Sequence, residues 1–116
     1  MITVAYDKLS EPALFILSSL GDGPKHGYAI RKDIARRAGH DMQPRVTTLY
    51  RLLRQLLDAK LVEEIADRPA PELDDERRRY YRITAAGRRA LAVEVRRLER
   101  LLDAVGQPSA TRRARA

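Results

Sequence analysis

The sequence contains no cysteine and no tryptophan, and its aromatic residues make up only 5% of the chain. Without cysteine it can form neither disulfides nor thiolate sites, which fits the reducing cytoplasm. Aliphatic side chains must therefore build the core, and 116 residues are enough for one such core. No apolar run approaches the roughly 20 residues of a membrane span. We therefore predict a cytoplasmic protein with no membrane partner.

Catalytic and metal-binding patterns are also absent from the sequence. His26 and His40 are the only histidines, and they lack the spacing of a metal-binding pair on one helix. There is no phosphate-binding glycine loop and no nucleophile turn. The adjacent acids Glu63 and Glu64 would alternate between strand faces, which does not suit general acid–base catalysis. The sequence thus predicts no enzyme, no metal site and no cofactor.

Positive charge, by contrast, is abundant. The chain has 23 Lys and Arg against 16 Asp and Glu, for a net charge of +7 and a pI of about 10.2. The excess lies in residues 45–60, in an arginine cluster at residues 77–79 and towards the C-terminus. Such a charge favours a polyanionic partner, with nucleic acid ahead of a membrane surface. The alternative is a basic protein whose charge serves only solubility.

The first half of the chain predicts two short helices. Ser10 is suited to cap the first, because an acid and a proline follow it. The sequence "GDGP" at 21–24 ends that helix. The second helix is expected from about His26 to Ala38, and Gly39 is suited to end it.

The third predicted helix, in "VTTLYRLLRQLLDAKL", has the clearest period in the chain. Its apolar stripe follows the spacing of one helical face and consists of Leu49, Leu52, Leu53, Leu56 and Leu57. Since successive residues turn by about 100°, the opposite face carries Thr47, Arg51, Arg54 and Asp58. The pattern predicts a helix that is anchored by leucines and presents a basic outer face.

The sequences "LVEEIA" at 61–66 and "RRYYRI" at 78–83 predict the two arms of a β-hairpin. The connection between them contains two prolines and predicts a long tip rather than a tight turn. Alternation along the second arm places Tyr81 and Ile83 on the buried face.

A long last helix is predicted from a cap at Thr84 to about Val105. Its apolar residues follow a four-three spacing and form a heptad seam of Leu91, Val95, Leu98, Leu102 and Val105. At about 1.5 Å per residue this helix would be roughly 30 Å long, which is more than one edge of a small domain can cover. The seam therefore favours a homodimer; the alternative is a lid that packs on the core of its own subunit.

This order of elements predicts a mainly α fold with a small β-hairpin, the winged helix-turn-helix. We expect a DNA-binding domain at 1–83, a dimerisation helix at 84–106 and a disordered basic tail at 107–116. The third helix fits the major groove of B-DNA, about 12 Å wide, with its N-terminal end leading. Arginine, threonine and tyrosine there can contact bases or phosphates. The predicted DNA contacts of this helix and its lead are Arg45, Thr47, Thr48, Tyr50, Arg51 and Arg54.

The arginines beside the second hairpin arm would lie where the backbone of a bound duplex passes. Arg77, Arg78 and Arg79 are therefore predicted to contact phosphate. The alternative is a solvated charge run with local salt bridges. The acidic tip at 72–76 is expected to project away from DNA or to fold back onto these arginines.

Three stretches resemble the signature blocks of PadR-type transcriptional regulators in order and spacing. They are "HGYAI" at 26–30, "TLYRLLRQLLDAKLV" at 48–62 and "RRRYYRITAAG" at 77–87. The resemblance, which covers about residues 9–105, implies a winged-helix homodimer with the first and last helices in the interface. Leu14 of the first helix thereby joins the expected interface. It further implies binding to a two-fold DNA operator, usually with repression.

The resemblance also implies roles for individual residues. It places near DNA Tyr28, Thr48, Tyr50 and Arg51, and on the wing Arg78 and Arg79. The chain departs from the family pattern at 45–47, where "RVT" replaces a small Pro-Gly or Ser-Gly lead, so that the base preference stays open. A small-molecule inducer is compatible with the family, although the sequence shows no site for one. A winged helix that binds protein rather than DNA is the remaining alternative.

Overall fold

The computed structural model describes residues 9–65 and 79–106 of the chain. The elements in order are α1 (Glu11–Gly21), β1 (Lys25–His26), α2 (Gly27–Ala38), α3 (Val46–Asp58), β2 (Val62–Ile65), β3 (Tyr80–Ile83) and α4 (Ala85–Val105). A single 3-10 turn, His40–Met42, joins α2 to α3. This is the predicted winged helix-turn-helix with a long C-terminal helix. The acidic wing tip, Arg77, Arg78 and the basic tail lie outside the described residues.

Side-chain caps determine where three of the four helices begin. The Ser10 hydroxyl accepts from the Ala13 amide at 3.3 Å, and the Thr84 hydroxyl accepts from the Gly87 amide at 3.0 Å. These bonds satisfy amides that have no partner within the helix. His26, expected as the first residue of α2, instead caps it. Arg45 makes no such side-chain bond at the start of α3.

The sheet has three antiparallel strands in the order β1-β3-β2. Pairing of β2 with β3 confirms the hairpin, with Val62 opposite Ile83. The sequence did not predict β1, whose His26 pairs with Tyr80. A two-residue strand shows no alternation of its own, so only the presence of β3 beside it reveals it. Tyr81 and Ile83 are buried, as expected.

One core fills the space between α1, α2, α3 and the sheet. Its fully buried side chains of largest volume include Ile16, Leu17, Leu20, Ile30, Ile34, Leu49, Leu53 and Val62. The buried part of the leucine stripe of α3 lies in this core. The core thus fixes the rotation of α3, and with it the residues that face solvent.

The start of α4 is tied to the turn after α3. The Thr84 hydroxyl donates to the Lys60 carbonyl at 2.8 Å, and the Thr84 amide donates to the Leu61 carbonyl at 3.0 Å. A β-carbon on Gly87 would lie 2.1 Å from the Leu61 carbonyl oxygen, so only glycine allows this approach. From there α4 packs on α1 and β3. None of the described helices is long and apolar enough to cross a membrane.

Candidate nucleic-acid interface

The outer face of α3 carries the polar residues that the sequence placed there. Thr47, Arg51 and Arg54 are exposed, whereas Leu49 and Leu53 on the opposite side are buried. Thr48 and Tyr50 are half-buried on the flanks, in agreement with the helical period. Arg45 is exposed just before the first turn. The structure therefore brings the six predicted contacts of α3 and its lead to one element, with arginines at both ends of the exposed face.

Two hydrogen bonds fasten the lead of α3 to α2. Arg31 Nε donates to the Pro44 carbonyl at 2.9 Å, and Gln43 Nε2 donates to the Arg31 carbonyl at 3.1 Å. Pro44 itself is buried. These contacts position Arg45 and the first turn of α3 relative to α2.

The N-terminus of α2 packs closely on Tyr50. A β-carbon on Gly27 would lie 2.5 Å from the Tyr50 hydroxyl oxygen and 3.2 Å from a methyl of Leu49. Glycine at this position lets α2 begin directly against α3. The contact joins residues 23 positions apart, so the sequence pattern did not predict it. In the sequence, Gly27 stands within the block "HGYAI".

Tyr28 lies in an aromatic and basic cluster at the same helix start. Its ring is 57% exposed and stacks on His26 with centroids 6.4 Å apart. His26 also meets the ring of Tyr80 edge-on at 5.3 Å, and Lys32 Nζ lies 5.5 Å from the Tyr28 centroid. His26 Nδ1 accepts from the Ala29 amide at 3.1 Å, which fixes the orientation of the imidazole ring. The cluster links β1, α2 and the wing, and the sequence alone did not indicate it.

The described part of the wing holds its arginines in ion pairs. Arg79 Nε lies 3.4 Å from Glu64 Oε2, and Arg82 Nη2 lies 2.7 Å from Glu63 Oε2. All four side chains are well exposed, so these pairs are readily exchanged for other partners. In the free protein Arg79 therefore has a local carboxylate partner.

A cleft of about 260 Å³ separates α3 from the wing. Its lining residues are Tyr50, Leu53, Arg54, Leu57, Glu64, Arg79 and Tyr81. Burial, together with the nearby charge of Glu64, raises the pKa of Tyr81 above its ordinary value of 10.0. The cleft is smaller than the roughly 300 Å³ at which ligand pockets begin. Its charged lining consists of Arg54 from α3 and the paired Glu64 and Arg79 from the wing. Within the described residues, no group of three His, Cys, Asp or Glu side chains could hold a metal ion.

The seam of α4 is open towards its C-terminal end. Val95, Leu102 and Val105 are 42%, 68% and 70% exposed, while Leu91 and Leu98 are half-buried. Leu14 on α1, also placed in the interface by sequence reasoning, is half-buried. The alternative of a lid over the subunit's own core therefore describes only the start of α4.

A buried carboxylate on α4 was not foreseen. Glu94 is only 2% exposed, and Arg97 Nη2 donates to its Oε2 at 2.6 Å. This hydrogen bond raises the pKa of Arg97. Charged residues of an amphipathic helix normally face water, so the helical pattern did not predict that Glu94 would be buried.

The described chain matches a known protein family over most of its length. A family model for the transcriptional regulator PadR-like family covers residues 16–93, from α1 into α4. A 37.1 kDa protein of transposon Tn4556 from Streptomyces fradiae is 32% identical over 94 residues, which cover 81% of this chain and 25% of that protein. The chain thus spans about a quarter of the length of this relative.

Solved structures show the same architecture. A PadR family transcriptional regulator from Eggerthella lenta is 32% identical with a TM-score of 0.65, over 81% of this chain and 77% of that one. A transcriptional regulator from Clostridium thermocellum shares the fold with a TM-score of 0.68 and 24% identity, over 90% and 94% of the two chains. Members of this family are regulators rather than enzymes. The chain belongs to the PadR-like family of transcriptional regulators.

Proposed function

We propose that the protein is a transcriptional repressor that binds an inverted-repeat operator as a homodimer and responds to a small-molecule inducer. One observation carries the DNA-binding part of the proposal. α3 buries its leucines in the core and leaves Arg51 and Arg54 exposed with Thr47 on the opposite face. Such a helix can enter the major groove without uncovering the core.

The surrounding residues support phosphate contacts on both sides of α3. Tyr28 lies in the first turn of α2 and Lys32 in the second, and Arg79 lies on the wing. These side chains would hold the duplex in register while α3 reads base edges. Arg77 and Arg78 belong to the same proposal through the sequence pattern alone.

The homodimer part of the proposal is supported by the open seam of α4. Val95, Leu102 and Val105 continue the heptad spacing beyond the part of α4 that the subunit's own core covers. A two-fold pair of α4 helices would place two copies of α3 about 34 Å apart, one turn of DNA. The operator would then be an inverted repeat, and an inducer would act by favouring a dimer with a different separation. A repressor of chromosomal genes would act in the cytoplasm.

The test is a footprint of the full-length protein on the DNA upstream of its own gene, followed by a salt titration. Four of the proposed DNA contacts in the described residues are arginines, namely Arg45, Arg51, Arg54 and Arg79. A dimer would therefore bring eight of them to the duplex. With six to ten phosphate contacts, affinity falls about 10³- to 10⁵-fold between 50 and 200 mM salt. Two protected half-sites and this steep fall are expected. A flat response to salt, or equal binding to an unrelated duplex at moderate salt, would count against an operator-specific repressor.

A further inference from the structure

Val46 is an apolar side chain that lies outside the described core and is about half exposed. Seven large hydrophobic side chains are exposed in residues 9–65 and 79–106, and five of them lie on α4. The other two are Tyr28 and Val46, and Val46 is 51% exposed. Tyr28 has the ring of His26 and the ammonium of Lys32 beside it. Val46 thus stands out as an uncovered aliphatic group outside the proposed dimer helix.

The position of Val46 is as informative as its exposure. It is the first residue of α3, between the exposed side chains of Arg45 and Thr47. It lies one turn before Tyr50, on the same side of the helix, and the Tyr50 hydroxyl packs against Gly27. The valine is therefore at the leading end of the helix, beside the start of α2. Its β-branched side chain has little rotamer freedom to lose on binding.

The chemistry of duplex DNA limits what an aliphatic group can gain there. Phosphates and most base edges offer charge or hydrogen bonds, for which valine has no use. The major groove presents one apolar group, the C5 methyl of thymine. Burying a methyl against an aliphatic side chain is favourable, whereas an exposed valine gains nothing in the free protein.

We propose that Val46 contacts a thymine C5 methyl in each half-site and so selects T·A over C·G at that position. This inference rests on the proposed function, because it assumes that α3 enters the major groove. It adds a specificity-determining residue that acts through an apolar contact, distinct from the arginine contacts proposed above.

Removing single methyl groups from DNA tests the contact directly. The probe is the wild-type footprint site, or a site selected by the wild-type protein from random duplexes. Each thymine is replaced in turn by 2′-deoxyuridine, which lacks only the methyl. At one position per half-site the wild-type affinity should fall about fourfold, and on the order of tenfold when both half-sites are changed. In Val46→Ala the same replacement should have no effect.

Two matched variants assign the effect to one side chain. Val93→Ala removes an exposed valine from the side of α4 opposite the seam, and it should keep the wild-type response to deoxyuridine. Thr47→Ser removes the neighbouring methyl and keeps the hydroxyl. Whatever its affinity for the unmodified site, since Thr47 is itself a proposed DNA contact, the ratio of its affinities for the thymine and deoxyuridine sites should equal that of the wild type. A response lost in Thr47→Ser, or kept in Val46→Ala, would overturn the assignment.

The outcomes separate this inference from the proposed function. A specific footprint without any thymine whose methyl matters would refute the role of Val46 and leave the repressor proposal intact. Absence of any preferred site, in both the upstream DNA and the random pool, would refute both. Replacing the sensitive thymine pair by 5-methylcytosine·guanine should bind more tightly than cytosine·guanine, because the methyl returns to the same groove position.

Discussion

α3 and α4 are both amphipathic helices, but only α3 buries its apolar face within its own chain. Leu49, Leu52, Leu53 and Leu56 of α3 are at most 6% exposed. On α4, by contrast, Val95, Leu102 and Val105 are between 42% and 70% exposed. The comparison teaches that a helical period identifies a face to be buried without identifying the surface that buries it.

The difference in burial between α3 and α4 also separates the roles proposed for the two helices. α3 has its leucines satisfied internally, so its remaining surface is polar and free to meet DNA. α4 extends past the core and carries apolar surface that water does not favour. Recognition is therefore proposed for the first helix and self-association for the second.

The largest effect is expected from a substitution in the exposed seam of α4. Leu102→Asp would place a carboxylate from each protomer in an apolar seam without a partner, which is costly. We expect the dissociation constant of the dimer to increase at least about a hundredfold, as measured by sedimentation velocity over a range of concentrations. Val93→Asp, on the opposite side of α4, is the control and should remain dimeric. A Leu102→Asp protein with unchanged association would show that the seam is not the interface.

A somewhat smaller effect is expected from a substitution on the outer face of α3. Arg51→Ala removes an exposed arginine from the outer face, and operator affinity should fall about tenfold to a hundredfold, or roughly 1–3 kcal/mol. Arg96→Ala removes the same charge from an exposed position on α4 and should change affinity far less. Titration of labelled operator duplex at fixed salt measures both. Equal losses in the two variants would mean that only net charge matters.

The smallest expected effect concerns a buried carboxylate between α1 and α2. Asp33 on α2 is buried beside Arg36 and Arg37, with Arg37 Nε 3.0 Å from its Oδ2. Burial raises the pKa of the Asp33 carboxyl, but the Ser19 hydroxyl and the Arg37 guanidinium more than offset this, so the pKa lies below its ordinary value of 3.8. Arg37 also pairs with Asp22 in the turn after α1.

The sign of the pH dependence follows from that direction. A carboxyl with a lowered pKa in the folded state stabilises the fold above pH 3.8, and the stabilisation is lost as pH falls through the folded-state pKa. Asp33→Asn should therefore lower the free energy of unfolding at pH 7. The difference in this free energy between the variant and the wild type should shrink as pH falls below 3.8. Denaturant unfolding from pH 7 to 3 measures it. A constant difference across this range would exclude a contribution from the charge.

Local features were predictable from the sequence. Ser10 and Thr84 cap the helices that the pattern assigned to them, because a cap needs only an amide three residues away. The orientation of Arg51 and Arg54 followed from the leucine period. The family blocks led to the membership that the family model shows.

Features that depend on distant residues were not predictable. Strand β1 exists because His26 meets Tyr80, 54 positions later. The burial of Glu94 and the close approach of Gly27 to Tyr50 likewise depend on how whole elements pack. The exposure of Val46 belongs to the same group, since its apolar character alone would assign it to a core.

The sequence by itself determined the order of the four helices and of the two hairpin strands, the charge of the outer face of α3 and the heptad spacing of α4. Only the tertiary structure decided that the leucines of α3 are covered by their own chain while Leu102 and Val105 are left exposed. The physical reason is that helical period and capping act between residues a few positions apart. Burial depends on which surfaces meet after the chain has folded, and that is set by all the elements together.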